Sequence, residues 1–144
     1  MKKITLLILS ILIFSNVCFA DDLVEKFNLS NTNKIIIVTN AKIMKTEKMW
    51  EIEDKNVIVA VLSELKTTRI RPVVDTWTQY LIRFYHDNIL LAELGYNKDD
   101  IFLRYKYWVH WDYIPSEKFR NIISNNIRSI PKEQNSKKDT SQSE

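Results

Sequence analysis

The spacing of apolar and polar residues changes several times along the chain, and each change predicts an element. Lys34–Thr39 (KIIIVT) is dominated by β-branched side chains and reads as a strand. Residues 47–53 (EKMWEIE) form a second, weaker extended stretch. Val57, Ile58, Val61, Leu62 and Leu65 then recur at helical spacing behind Asp54, whose carboxylate suits the exposed amides of a helix start. This helix is expected to end near Thr67 or Thr68, with Arg69, Arg71 and Pro72 in a loop. Residues 79–85 (QYLIRFY) and 89–96 (ILLAELGY) flank His86-Asp87-Asn88, a polar connector suited to a hairpin. A turn at 97–100 leads into the longest alternation of the chain. Ile101, Leu103, Tyr105, Tyr107, Val109, Trp111 and Tyr113 fall on one face, and Phe102, Arg104, Lys106, Trp108, His110 and Asp112 on the other. Period two over that span predicts one half-buried strand, bent or bulged within its length. Pro115 and Ser116 open a second helix with Phe119, Ile122, Ile123, Ile127 and Ile130 as its buried stripe, and Pro131 ends it.

Residues 21–33 are a polar lead-in in which Leu23, Val24 and Phe27 can make one helical turn. The tail 132–144 (KEQNSKKDTSQSE) has no apolar anchor and reads as disordered. Strands followed by a helix, then three strands and a second helix predict an α+β fold. It is a single domain over residues 21–131, mostly antiparallel sheet with two main helices packed on one face.

The first twenty residues, MKKITLLILSILIFSNVCFA, follow a different pattern. Lys2 and Lys3 precede an apolar run, and Ala20 supplies the small residue before Asp21 and Asp22. This is a secretory signal with cleavage expected after Ala20. The run is too short for a stable membrane span, which takes about 20 apolar residues. Cys18 lacks the small preceding residue of an acylated cysteine, since Asn16 and Val17 stand before it. A periplasmic location follows as an expectation, for a mature chain with neither disulfide nor thiol chemistry.

Export also changes the charge. The chain has 21 basic and 18 acidic residues. Losing Lys2 and Lys3 leaves 19 against 18, so the mature chain is nearly neutral and makes no sequence-level case for nucleic acid. The single glycine, Gly95, cannot build a phosphate loop, a dinucleotide fingerprint or a nucleophile elbow, and no cofactor is expected. With two histidines, His86 and His110, and no mature cysteine, no metal site is expected either. Glu51, Glu53 and Asp54 read as a charged strand face running into a helix cap rather than as a glycosidase pair. No catalytic residue is assigned, and the chain is expected to be a binder rather than an enzyme.

The candidate partner surface is the polar face of the long alternation, Arg104, Lys106, Trp108 and His110, joined by the cations Arg69 and Arg71. Trp and Arg are over-represented among residues that carry binding energy at interfaces. Trp108 has a second reading, as an indole lying beneath a helix or loop. The aromatic face Tyr105, Tyr107, Trp111 and Tyr113 suits sheet packing as well as carbohydrate stacking.

A Lys-Lys signal joined to one cysteine-poor α+β domain rich in Lys, Asn and Ile resembles the small periplasmic immunity proteins that protect bacteriocin producers, the pesticin-immunity type among them. The likeness is one of overall profile and assigns no site residue. It implies an inhibitor that neutralises a toxin acting in the envelope, such as a muramidase, by direct protein–protein binding. The alternative is a periplasmic small-ligand carrier or envelope adaptor; a hydrolase ranks below both.

Overall fold

The computed structural model describes residues 20–72, 77–99, 102–105 and 111–129. In chain order the elements are β1 (Ala20–Asp21), α1 (Leu23–Lys26), a 3-10 turn (Leu29–Asn31), β2 (Lys34–Thr39), α2 (Ala41–Met44), β3 (Met49–Ile52) and α3 (Lys55–Leu65). There follow β4 (Thr68–Pro72), β5 (Tyr80–His86), β6 (Ile89–Asn97), β7 (Phe102–Tyr105), β8 (Trp111–Ile114) and α4 (Glu117–Arg128). The strands form one antiparallel sheet in the order β1-β4-β8-β7-β6-β5-β2-β3. The protein is an α+β domain.

Both main helices start where their sequences provide a cap. Asp54 Oδ1 accepts from the amides of Asn56 at 2.8 Å and Val57 at 3.3 Å. Ser116 Oγ accepts from Phe119 N at 3.0 Å and donates to Glu64 Oε2 at 2.7 Å, so one hydroxyl caps α4 and ties it to α3. Lys118 reaches the other oxygen of Glu64 at 3.0 Å. The hydrogen bond from Ser116, then that from Lys118, holds the Glu64 carboxyl below the usual glutamate value.

Alternation sends one set of strand side chains toward these helices. Ile35, Ile37, Trp50, Ile52, Ile82, Phe84, Leu94, Tyr96, Leu103 and Tyr113 meet Ile58, Val61, Leu65, Phe119 and Ile123 in one buried cluster. Leu23, Val24 and Leu29 close its end. Trp50 Nε1 donates to Ser129 O at 3.0 Å, fastening the end of α4 to β3. Among the described residues no helix is long and apolar enough to cross a membrane.

Two sequence expectations are overturned. Arg69, Arg71 and Pro72 do not lie in a loop: α3 stops at Leu65, and residues 68–72 form β4, paired with β8 and, through Thr68 and Arg69, with β1. Pro72 ends the strand, where a missing amide costs least. The long alternation, in turn, is not one strand. Residues 102–105 and 111–114 are antiparallel neighbours joined at Leu103↔Tyr113. Those positions sum to an even number, so folding back keeps odd residues on one face and even residues on the other. A hairpin of that register and a continuous strand have the same face pattern. Lys106, Trp108 and His110 lie outside the described residues.

Candidate functional site

The sheet face turned away from the core cluster mixes charged side chains on β4–β8 with apolar ones such as Val38 and Leu81. Reading across one row of the register, Arg71 of β4 lies opposite Asp112 of β8. The Leu103↔Tyr113 pair places Arg104 on the other side of Asp112, and Arg104 faces Gly95 of β6. Gly95 then faces Leu81 of β5, which faces Val38 of β2. One row therefore holds two guanidinium groups around one carboxylate, beside a gap in the side-chain layer at Gly95.

Asp112 is fully buried. Arg104 grips it bidentately, Nε to Oδ1 at 2.7 Å and Nη2 to Oδ2 at 3.1 Å. The Phe102 ring, also fully buried, lies 4.6 Å from the Arg104 guanidinium and 5.7 Å from that of Arg71. These distances are in the cation–π range. Two of the expected cations, Arg71 and Arg104, are thus brought together, but as parts of a supported cluster rather than as loose surface charges. Arg69 is exposed on β4, where β1 and β8 flank it.

Gly95 is the one place where a glycine is required. A Cβ there would stand 2.4 Å from Cγ2 and 2.9 Å from Cβ of Thr78. The 77–79 segment crosses the sheet at this gap. Asn97 Nδ2 donates to Trp77 O at 2.7 Å, and Asn40 Nδ2 donates to Thr78 O at 3.0 Å. The segment leaves the Trp77 indole 76% exposed.

Beside this crossing lies a cleft of about 350 Å³ lined by Asn40, Lys42, Thr78, Leu81, Arg83, Glu93, Gly95 and Arg104. Arg83 and Glu93 form its cross-strand ion pair, Nε to Oε2 at 2.7 Å. A β-bulge makes that pairing. At the hairpin tip His86 pairs Ile89 and Tyr85 pairs Leu90, which alone would put Arg83 opposite Ala92. The register shift beyond Phe84 places Arg83 opposite Glu93 and returns Ala92 to the core. The lining carries three cations, Lys42, Arg83 and Arg104, against the carboxylate of Glu93, and is positive even with Asp112 counted behind Arg104. Ile43 and Met44, next to Lys42 on α2, are exposed.

Sequence reading reached Arg104 and Arg71 but missed Lys42, Arg83, Glu93 and Trp77. Lys42 and Arg104 are far apart in the chain and meet only through strand order. Arg83 opposite Glu93 depends on a bulge that alternation does not mark. Among the described residues no cluster of three His, Cys, Asp or Glu stands ready for a metal.

The fold and this face define an α+β domain whose helices cover one side of an antiparallel sheet and whose other side presents a basic cleft with an exposed indole nearby. No protein-family model, curated protein or solved structure matches the chain.

Proposed function

We propose that this chain is a periplasmic inhibitor, exported by a signal cleaved after Ala20, that neutralises a protein toxin acting in the cell envelope by covering it with the open sheet face. The observation that supports this reading is the cleft itself, where the exposed Lys42 joins Arg83 and Arg104, each held by a carboxylate, with the exposed Trp77 next in the chain to its Thr78. Clustered cations suit carboxylates on a partner, and an exposed indole beside them supplies a large contact area with only two side-chain torsions to order. A muramidase offers such a complement, because its substrate cleft is built around paired carboxylates. Charge steers the encounter, and the aromatic anchor slows release.

Cleavage after Ala20 leaves Asp21 as the new terminus. It retains the Asp21↔Thr68 pairing and the 2.9 Å bond from Thr68 Oγ1 to Asp21 O. Processing at that point therefore spares the β1 contact nearest the core.

The test is a peptidoglycan-lysis assay with a pesticin-type muramidase titrated by the purified chain. Lysis should stop near one equivalent, and Lys42→Glu should raise the amount required at least tenfold. Undiminished lysis at a large excess of chain contradicts a muramidase as the target. A second reading has one observation in its favour: the cleft volume lies within the roughly 300–1,000 Å³ of small-ligand sites. In that case the ligand is anionic, and it raises the melting temperature without any protein partner.

A further inference from the structure

Beside its apolar stripe, α4 carries a second, polar one. Arg120, Ser124 and Arg128 recur at i, i+4 and i+8 and so share one side of the helix, with Ile127 of the apolar stripe at its border. Ser124, Ile127 and Arg128 line a cavity of about 180 Å³ whose other lining residues are Tyr80 and Tyr96 of the sheet and Lys98 of the turn after β6. The two tyrosine rings are buried, with centroids 6.3 Å apart. One turn back along α4 from Ser124, outside the lining, Arg120 Nε is buried without a hydrogen-bond partner among the described residues. None of the ion pairs among those residues involves Arg120 or Arg128.

This is an unusual concentration of donors. Lys98 and Arg128 are the cations of the lining, and the adjacent Asp99 carboxylate takes the Gln79 side-chain amide and the Lys98 ammonium. Tyr80, Tyr96 and Ser124 add hydroxyls from two different elements. Burial pushes the Tyr96 phenol above its ordinary value, with Arg120 pulling the other way, so Tyr96 stays a neutral donor at physiological pH.

The cavity is below the size of drug-like ligand sites, which begin at roughly 300 Å³. Its donors come from the sheet, a turn and a helix, and so approach from several directions. That suits a tetrahedral ion better than a planar carboxylate. Guanidinium groups bind such oxyanions through paired N–H bonds.

We propose that the cavity between α4 and the β5–β6 strands binds one tetrahedral oxyanion, phosphate or sulfate, either free or as the end of a small monoester. Arg128 and Lys98 supply charge at its mouth, and Tyr80, Tyr96 and Ser124 supply hydroxyl donors. The site lies on the helix side of the sheet, apart from the basic cleft, and stands whether or not the inhibitor reading holds.

The test is isothermal titration of the purified chain with inorganic phosphate, inorganic sulfate and glycerol 3-phosphate, at constant ionic strength against a chloride reference. Saturable one-to-one binding of at least one of these is expected. Arg128→Gln, at an exposed position that does not threaten folding, should weaken it at least tenfold, and Tyr96→Phe several-fold. Lys42→Glu, in the other cleft, should leave it unchanged. Tighter binding of glycerol 3-phosphate than of free phosphate assigns the site to a monoester, and the reverse order assigns it to the free ion. Absence of saturable heat with all three anions, or binding indifferent to both Arg128→Gln and Tyr96→Phe, overturns the proposal.

Discussion

Arg104 and Asp112 face each other across adjacent strands and are joined by two parallel hydrogen bonds, with the carboxylate fully buried and the guanidinium side chain only 22% exposed. The pair sits where the chain folds back on itself between β7 and β8. It closes the polar side of the hairpin while Leu103 and Tyr113 close the apolar side. A buried carboxylate is tolerated only with such partners.

Replacing Arg104 by Met should therefore cost about 3 kcal/mol of stability, since a buried charge loses its bidentate partner. Urea unfolding measures this directly. Converting Asp112 to Asn in the same background should recover part of the loss, because the charge is then removed from the interior. A cost below about 0.5 kcal/mol, the level of an exposed ion pair, would show the pair to be solvated.

Gly95→Ala should destabilise the domain by about 1–3 kcal/mol, the cost of overpacking, because its Cβ collides with Thr78. The double change Gly95→Ala with Thr78→Ala should be milder than the single one, as two residues in contact couple. Strict additivity in that cycle contradicts the assigned contact.

Stability should also fall on acidification through Glu64. Its folded value is depressed by Ser116 and Lys118. A depressed carboxyl contributes stability that is present above the unfolded value, near 4.5, and is lost as pH falls through the folded value. Thermal melts of wild type and Glu64→Gln should therefore converge as pH drops below that window. A constant gap between them from neutral pH to pH 3 contradicts the linkage.

Much of this framework is legible in the chain itself. Lys34–Thr39 has one strand face to offer and the Asp54 carboxylate one helix to cap, so β2 and α3 follow from local pattern. The hairpin at Asp87-Asn88 is equally local, and reciprocal 2.8 Å bonds with Asn33 fix it to the lead-in. The β7–β8 fold-back is invisible to alternation because Leu103 and Tyr113 share parity. β4 is hidden for another reason. Thr68-Arg69-Ile70-Arg71-Pro72 carries one large aliphatic side chain, and its strand state comes from pairing with distant residues. The cleft follows the same logic: Arg104 was readable as a candidate, while Lys42 and Arg83 join it through strand order and a bulge.

The interface should show a division of labour. Lys42→Glu should slow association and change its salt dependence, whereas Trp77→Ala should speed dissociation, each read by surface plasmon resonance on the captured partner. Equal effects of both on the association rate alone would remove Trp77 as an anchor.

Binding of an envelope protein by the sheet face that carries the basic cleft is tested by co-purification from envelope extract. Wild-type chain, a Lys42→Glu/Trp77→Ala variant and a Val59→Ser control on the exposed side of α3 serve as baits in parallel. One stoichiometric protein should be retained by wild type and by the Val59 variant and lost with the face variant. Recovery of the same protein by all three baits, or of none by folded wild-type chain, contradicts it.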